Sequence, residues 1–177
     1  MCNARGSGLA AIVAALCGCA APTWQEKLAA DLPVLGHRNW IVVADAAYPA
    51  QSAPGILTVY VGGDQVAAVK DVLEVIEKAP NVRPLVYLDG ELPHVAEADA
   101  PGIGDYRTAL QEMLTRYATL SVPHEEIIKM LAEAGRGFQV LIIKTDMTLP
   151  YTSVFIRLEC GYWSDAAEQR LREKYKP

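Results

Sequence analysis

The chain has 177 residues, of which 51% are apolar and 21% are charged, which is enough for one domain with a substantial core. Its formal net charge at pH 7 is −5. That charge argues against nucleic acid as a partner, because phosphate binding requires a basic patch.

The chain begins with the pattern of an export leader. Arg5 is the only charge before Glu26, and residues 9–16 (LAAIVAAL) form a short apolar run followed by small residues, which is typical of a signal peptide. The run is too short to span a bilayer about 30 Å thick as a helix. Residues 16–19 (LCGC) resemble a bacterial lipobox, in which Cys19 would carry lipid.

This pattern predicts a leader at residues 1–19 and a mature domain at residues 20–177, exported to the periplasm or anchored to a membrane by lipid on Cys19. Two alternatives stay open: a plain secretory signal cut nearby, and an uncleaved apolar N-terminus on a cytosolic protein. Cys160 is the one cysteine beyond the leader, so the domain cannot form an internal disulfide and must depend on its core.

The domain alternates runs of strand character with segments of helical periodicity. In chain order, the predicted elements are a helix at 24–32, strands at 40–44 and 56–61, a helix at 65–78, a strand at 84–88, a loop at 89–104, helices at 105–118 and 123–134, strands at 139–143 and 153–158, and a helix at 165–175. This alternation predicts a single α/β domain of three layers, α/β/α, with a mostly parallel central sheet.

Ligands of such sheets bind at the carboxyl ends of the strands, and Asp45 directly follows the apolar strand at 40–44. His37 precedes the same strand, whose five residues separate its ends by about 16 Å. The two side chains can share a site only if the chain between His37 and the strand folds back, which the sequence leaves open. His94, beside a proline, is predicted to be solvent-exposed. No metal-ligand spacing connects His37, Asp45 and His124, so no metal is predicted.

Three blocks of the sequence resemble the ribose pyranase/fucose mutarotase family. The first is Leu-Gly-His at 35–37, followed by the apolar strand, Ala-Asp-Ala at 44–46 and a proline at 49. The second is Lys-Thr at 144–145 with Pro-Tyr at 150–151, and the third is His-Glu at 124–125, which opens a helix. Together the blocks touch residues 28–49 and 122–162.

The resemblance implies the fold of the ribose pyranases and a sugar-ring isomerase that needs no cofactor. In this family a pocket between subunits of a ring-shaped homo-oligomer binds a monosaccharide, here a pentose or a hexose. One group takes the proton of the anomeric hydroxyl while another protonates the ring oxygen, so that the hemiacetal opens and recloses. Histidine suits this chemistry because its pKa lies near neutrality.

The resemblance also implies roles for individual residues. His37 would be the general acid/base, and Asp45 would orient it or bind a sugar hydroxyl. His124 would be a second proton carrier reaching into a neighbour's pocket, and Tyr151 would hydrogen-bond the sugar. Arg38, Lys144 and Ser153 are predicted to bind the substrate, although Arg38 lies where the family usually has a small or acidic residue.

The sequence departs from the family pattern at several positions. Ser153 replaces an asparagine that touches the sugar, and Leu120 replaces a basic residue. These changes favour an alternative in which the chain is an exported sugar-binding lipoprotein that has lost the chemistry. A third hypothesis is a structural, ring-forming protein without a ligand.

Overall fold

The computed structural model describes residues 21–175. The leader predicted at residues 1–19, with Cys19, lies outside the described residues. Across the described range, every helix is too short or too polar to cross a membrane.

One six-stranded sheet forms the centre of the molecule. The strands are β1 Trp40–Ala44, β2 Ile56–Tyr60, β3 Val82–Asp89, β4 Thr119–Val122, β5 Val140–Lys144 and β6 Val154–Cys160. Their order is β2-β5-β1-β6-β3-β4. β6 runs antiparallel to β1 and β3, whereas the other three pairs are parallel, which confirms a mostly parallel sheet.

The described residues form five α-helices. They are α1 Trp24–Asp31, α2 Gln65–Glu77, α3 Ile103–Leu114, α4 His124–Gly137 and α5 Asp165–Lys174, and a 3-10 turn spans Leu92–His94. Two helices begin at the predicted caps: Thr23 forms a capping box with Glu26 at α1, and the Asp64 carboxylate accepts a hydrogen bond from a backbone N–H of α2. Such caps satisfy N–H groups that the first turn of a helix leaves without partners.

Two apolar cores lie on opposite faces of the sheet. Side chains of β1 alternate between them: Ile41 and Val43 pack in the core that contains α1, α2 and α3, and Trp40 and Val42 pack in the core that contains Ile127 of α4. β1 is buried along its whole length, as expected for a central strand covered on both faces. The three-layer α/β/α architecture is therefore confirmed.

Three elements differ from the sequence-based expectation. β4 was not predicted, because its four residues are short, largely exposed and paired on one side alone, with β3. α3 begins at Ile103, after Gly102 in the left-handed region at φ 93°, and ends four residues early. α4 continues to Gly137 through Gly135, where a Cβ would overlap the side chain of Ile56. Glycine there lets the helix approach β2 closely, and so does not end it.

Candidate functional site

Polar side chains gather at one edge of the sheet, where the five mutually parallel strands end and β6 begins. Asp45 follows β1, Asp89 ends β3, Lys144 ends β5, His124 comes two residues after β4, and Ser153 directly precedes β6. This is the edge at which α/β sheets bind their ligands. Within the described residues, no three His, Cys, Asp or Glu side chains are placed to hold a metal ion.

Asp45 is held by the connection between β5 and β6. Because β5 and β6 flank β1 in the sheet, this connection passes over the end of β1. The backbone N–H of Ala46 donates to the carbonyl of Met147 (2.7 Å). The Ser153 hydroxyl donates to Oδ2 of Asp45 (2.7 Å), and the N–H of Ala47 donates to Oδ1 (2.9 Å). Both carboxylate oxygens therefore accept hydrogen bonds that fix their direction.

A buried polar network holds the β5–β6 connection against α2 and α3. Gln65 is fully buried. Its amide donates to the carbonyl of Thr152, and its Oε1 accepts from the Thr145 hydroxyl (2.9 Å). The Tyr106 hydroxyl also donates to the Thr152 carbonyl (2.5 Å), and burial raises the pKa of Tyr106. The loop is thus tied to α2 and α3, so its end at Ser153 has little freedom.

Tyr151 adopts a strained backbone conformation at this loop. Its φ is 57°, in the left-handed region that costs a non-glycine residue about 1–2 kcal/mol. The phenol ring meets the imidazole of His124 edge-on, with 5.6 Å between ring centroids and 86° between ring planes. Strain of this kind is found at functional sites where the surrounding structure enforces it.

His124 begins α4 and is held by two carboxylates. Its backbone N–H donates to Oε2 of Glu91 (3.0 Å), and its Nδ1 lies 3.0 Å from Oδ1 of Asp89. The Asp89 side chain is 1% exposed. Burial raises the pKa of Asp89, the hydrogen bond to His124 opposes that rise, and the charges of Glu91 and Asp45 add to it.

Asp89 and Glu91 are not among the site residues predicted from the sequence. The sequence does carry a signal for Asp89, which follows an apolar run just as Asp45 does. The predicted strand ends at residue 88 and the predicted loop begins at residue 89, whereas β3 extends to Asp89.

Lys144 belongs to this cluster but is engaged with the backbone. Its Nζ donates to the carbonyl of Tyr48 (2.6 Å). Tyr48 is 4% exposed, and burial raises its pKa, with smaller contributions from the charges of Asp89 and Asp45. Tyr48 therefore lies near both carboxylates, and Lys144 fixes the turn that carries it.

A shallow hollow adjoins the cluster. It has a volume of about 380 Å³ and is lined by Asp45, Ala46, Ala47, Thr148, Leu149 and Pro150. This volume is at the lower end of the range of small-molecule sites, about 300–1,000 Å³. The hollow is formed by the turn after β1 and by the β5–β6 connection, so a ligand there would contact the Asp45 carboxylate.

His37 and Arg38 lie at the opposite end of β1. The Nε2 of His37 is 3.1 Å from Oε2 of Glu159, near the end of β6, and the N–H of Arg38 donates to the carbonyl of Leu158 (2.9 Å). The chain before β1 does not fold back towards Asp45. Within one chain, the structure therefore brings together Asp45, His124, Tyr151, Ser153 and Lys144, and places His37 and Arg38 elsewhere.

The His37 end has a hollow of its own, of about 400 Å³. Its lining includes Arg38, Trp40, Phe138 and Arg157. The guanidinium of Arg38 lies over the ring of Phe138, 5.8 Å from its centroid, and Nε of Arg157 donates to Glu159 (2.6 Å). Arg38 has a φ of 76°, a second strained position. His94, in contrast, is exposed in its loop, as predicted.

The chain is similar to known proteins in its sequence pattern and in its fold. Residues 21–161 match the RbsD / FucU transport protein family, and no curated protein matches the chain significantly. RbsD of Bacillus subtilis complexed with D-ribose has a TM-score of 0.53 and 20% identity, over 82% of this chain and 98% of that one. FucU from Bifidobacterium longum has a TM-score of 0.51 and 19% identity, over 74% and 90%. These two proteins share the fold of this chain.

Proposed function

Because this chain belongs to the RbsD / FucU transport protein family, we propose that it is a sugar-ring isomerase that opens and recloses the hemiacetal of a monosaccharide without a cofactor. The observation that carries the proposal is the convergence of an imidazole, a carboxylate and a phenol at the carboxyl edge of the sheet, from His124, Asp45 and Tyr151. The ligand of the B. subtilis structure, D-ribose, supports a monosaccharide as the substrate, and we propose a pentose or a hexose.

The reaction needs two proton transfers and no net change in protons. A base takes the proton of the anomeric hydroxyl while an acid protonates the ring oxygen, and the bond from that oxygen to the anomeric carbon breaks. Rotation of the free aldehyde followed by the reverse steps gives the other ring form. His124 is the proton carrier of the carboxyl edge, and Asp45 and Tyr151 hold sugar hydroxyls. A placed acid or base of this kind gives about 10²–10⁴-fold in rate.

The second proton carrier in this proposal is His37 of a neighbouring copy. At the amino end of the sheet, His37 and Arg157 both face Glu159, and the carboxyl edge with Asp45 and His124 is the opposite end. A head-to-tail contact between copies would bring these two ends together, and a head-to-tail contact that closes gives a ring. A pocket between subunits would then unite the two histidines.

Saturation-transfer NMR on free pentoses and hexoses, including ribose and fucose, tests the activity. We expect exchange between ring forms above the uncatalysed background for at least one sugar. We expect it to fall at least about 10²-fold in His124→Gln and in His37→Gln. His94→Gln is the matched control and should exchange sugars as the wild type does. Absence of exchange with every sugar overturns the proposal. Calorimetric binding without exchange would instead support the inactive sugar-binding alternative, which the comparisons do not favour.

Mixing the two inactive variants tests the pocket between subunits. After dissociation and reassembly of a 1:1 mixture, about a quarter of the interfaces would pair an intact His37 with an intact His124. Recovery of about a quarter of the wild-type exchange rate is therefore expected. No recovery, with mixed oligomers shown to form, contradicts a site shared between copies.

Export and lipid attachment at Cys19 remain part of the proposal, since they depend on residues outside the described range. Mass spectrometry of the mature protein tests them directly. A diacylglycerol-modified N-terminal Cys19 is the expected result, and an intact Met1 would contradict it.

A further inference from the structure

The pairing of β3 with β4 places Asp89 and His124 side by side. Asp89 is in register with Val122 across the two parallel strands, and the N–H of Gly90 donates to the carbonyl of Val122 (2.8 Å). One residue, Pro123, separates Val122 from His124. Backbone pairing therefore holds the two residues as neighbours, and Oδ1 of Asp89 lies 3.0 Å from Nδ1 of His124.

The buried side chain of Asp89 lowers the stability of the fold. Its side chain is 1% exposed, and its Oδ2 has no hydrogen-bond partner among residues 21–175. A buried polar atom left without a partner destabilises the folded state, and a charged one does so more strongly. Asp89 has one strong contact, the imidazole of His124. A buried carboxylate with one specific partner of this kind is typical of functional sites.

We propose that Asp89 is a positioning residue that holds neutral His124 in the tautomer with its proton on Nδ1, so that Nε2 is the base of the site. The inference rests on the proposed function only for its catalytic consequence. An ionised carboxylate accepts hydrogen bonds and cannot donate them, so the nitrogen that faces Asp89 must carry the hydrogen. The lone pair of the neutral ring is then on Nε2.

With this tautomer, Nε2 is the nitrogen of His124 that exchanges a proton with the sugar. Nε2 takes the proton of the anomeric hydroxyl, and Asp89 stabilises the imidazolium that results. The same proton leaves from Nε2 when the ring recloses, so His124 returns to its starting tautomer. The Asp89 carboxylate stays ionised throughout, and its role is to keep the lone pair on Nε2, the nitrogen available to substrate.

The other charged and titratable groups around the pair do not compete for this role. Glu91 accepts the backbone N–H of His124, and the Asp45 carboxylate is bound by Ser153 and by the N–H of Ala47. Tyr151 meets the ring edge-on, and the Tyr48 hydroxyl accepts from Gln51. Within the described part of the chain, Asp89 is thus the one group hydrogen-bonded to a ring nitrogen of His124.

Long-range ¹H–¹⁵N correlation spectra of the imidazoles test the tautomer without any substrate. His124→Gln identifies the signals of His124 among those of the three histidines. We expect neutral His124 of the wild type to carry its proton on Nδ1, and Asp89→Asn to shift the population towards Nε2–H. Asp99→Asn, at an exposed loop aspartate, is the control and should leave the spectrum unchanged. A wild-type His124 protonated on Nε2 overturns the proposal, whether or not the Asp89 variant folds.

Sugar exchange gives the second readout. In Asp89→Asn the maximal exchange rate should fall at least about 10²-fold, as when an orienting carboxylate is lost from a catalytic histidine. The half-saturating sugar concentration should change less than about twofold, because Asp89 does not contact the substrate. A tautomer as expected with an unchanged exchange rate in the variant refutes the positioning role. A wild type with no exchange refutes the proposed function, while the tautomer spectra still decide the inference on Asp89.

Discussion

Gln65→Leu tests whether the buried network below the β5–β6 connection stabilises the fold. Gln65 takes part in three hydrogen bonds, with Thr152, Thr145 and Tyr106. At about 1 kcal/mol net for each bond, their loss costs about 3 kcal/mol. In the variant the Tyr106 hydroxyl keeps its hydrogen bond to the Thr152 carbonyl, and the Thr145 hydroxyl turns from Gln65 to the Ala44 carbonyl, which lies 3.1 Å away, so no donor is left without an acceptor. Burial of the added apolar surface offsets about 1 kcal/mol. The expected fall in the free energy of unfolding is about 2 kcal/mol.

Urea unfolding followed by circular dichroism measures this fall. Gln25→Leu is the matched control, because Gln25 is half-buried and makes one side-chain hydrogen bond, to Asp71 (2.8 Å). Its loss should cost less than about 1 kcal/mol. The reasoning is refuted if Gln65→Leu costs no more than this control. Since the network holds Thr152 next to Ser153, Gln65→Leu should also weaken sugar binding, while Gln25→Leu should not.

Three further outcomes are expected from the same denaturation assay. Gly55→Ala should lower the free energy of unfolding by about 3 kcal/mol, because a Cβ there would overlap the carbonyl oxygen of Phe138. Gly36→Ala, with open space around its Cβ position, should change it by less than about 1 kcal/mol, and equal effects would contradict the clash. Arg38→Gly should be more stable than Arg38→Ala by about 1 kcal/mol, since the backbone there has a φ of 76°. Equal stabilities would show that this strain is absent. Burial raises the pKa of Asp89, so the wild type is most stable relative to Asp89→Asn below about pH 3.9, the ordinary value, and loses that advantage as the pH rises through the higher folded-state pKa. An advantage that grows with pH would contradict the sign of the shift.

Most of the fold could be predicted because apolar periodicity reports burial. The run at 40–44 is apolar at every position, which is what a strand covered on both faces requires, and β1 is such a strand. β4 could not be predicted in this way. Its residues Thr119–Val122 are held by backbone pairing with β3, and backbone pairing leaves no mark on side-chain polarity.

The sequence indicates part of the geometry of the candidate site. Asp45 follows a buried strand, which predicts its place at the carboxyl edge, and the position of β6 next to β1 explains why Ser153 reaches it. The pairing of Asp89 with His124 depends on the register between β3 and β4. The sequence does not indicate that these two strands are neighbours in the sheet. His37 and Asp45 lie at opposite ends of β1 because the chain between His37 and β1 does not fold back. The sequence leaves the path of that short segment open.

The reversed direction of β6 has a consequence for how this protein can change. Since β6 starts where its neighbours finish, the segment from Thr145 to Ser153 crosses the carboxyl edge of the sheet. One end is held by the hydrogen bond of Thr145 to Ala44, and the other by the hydrogen bond of Ser153 to Asp45. Its middle, around Thr148 and Pro150, is exposed and lies on no strand. Replacements of these two exposed residues would reshape the rim of the hollow beside Asp45, whereas Met147 and Leu149 pack against the core. Under the proposed function, new sugar preferences would therefore arise from the exposed positions of this segment and leave its two core contacts unchanged.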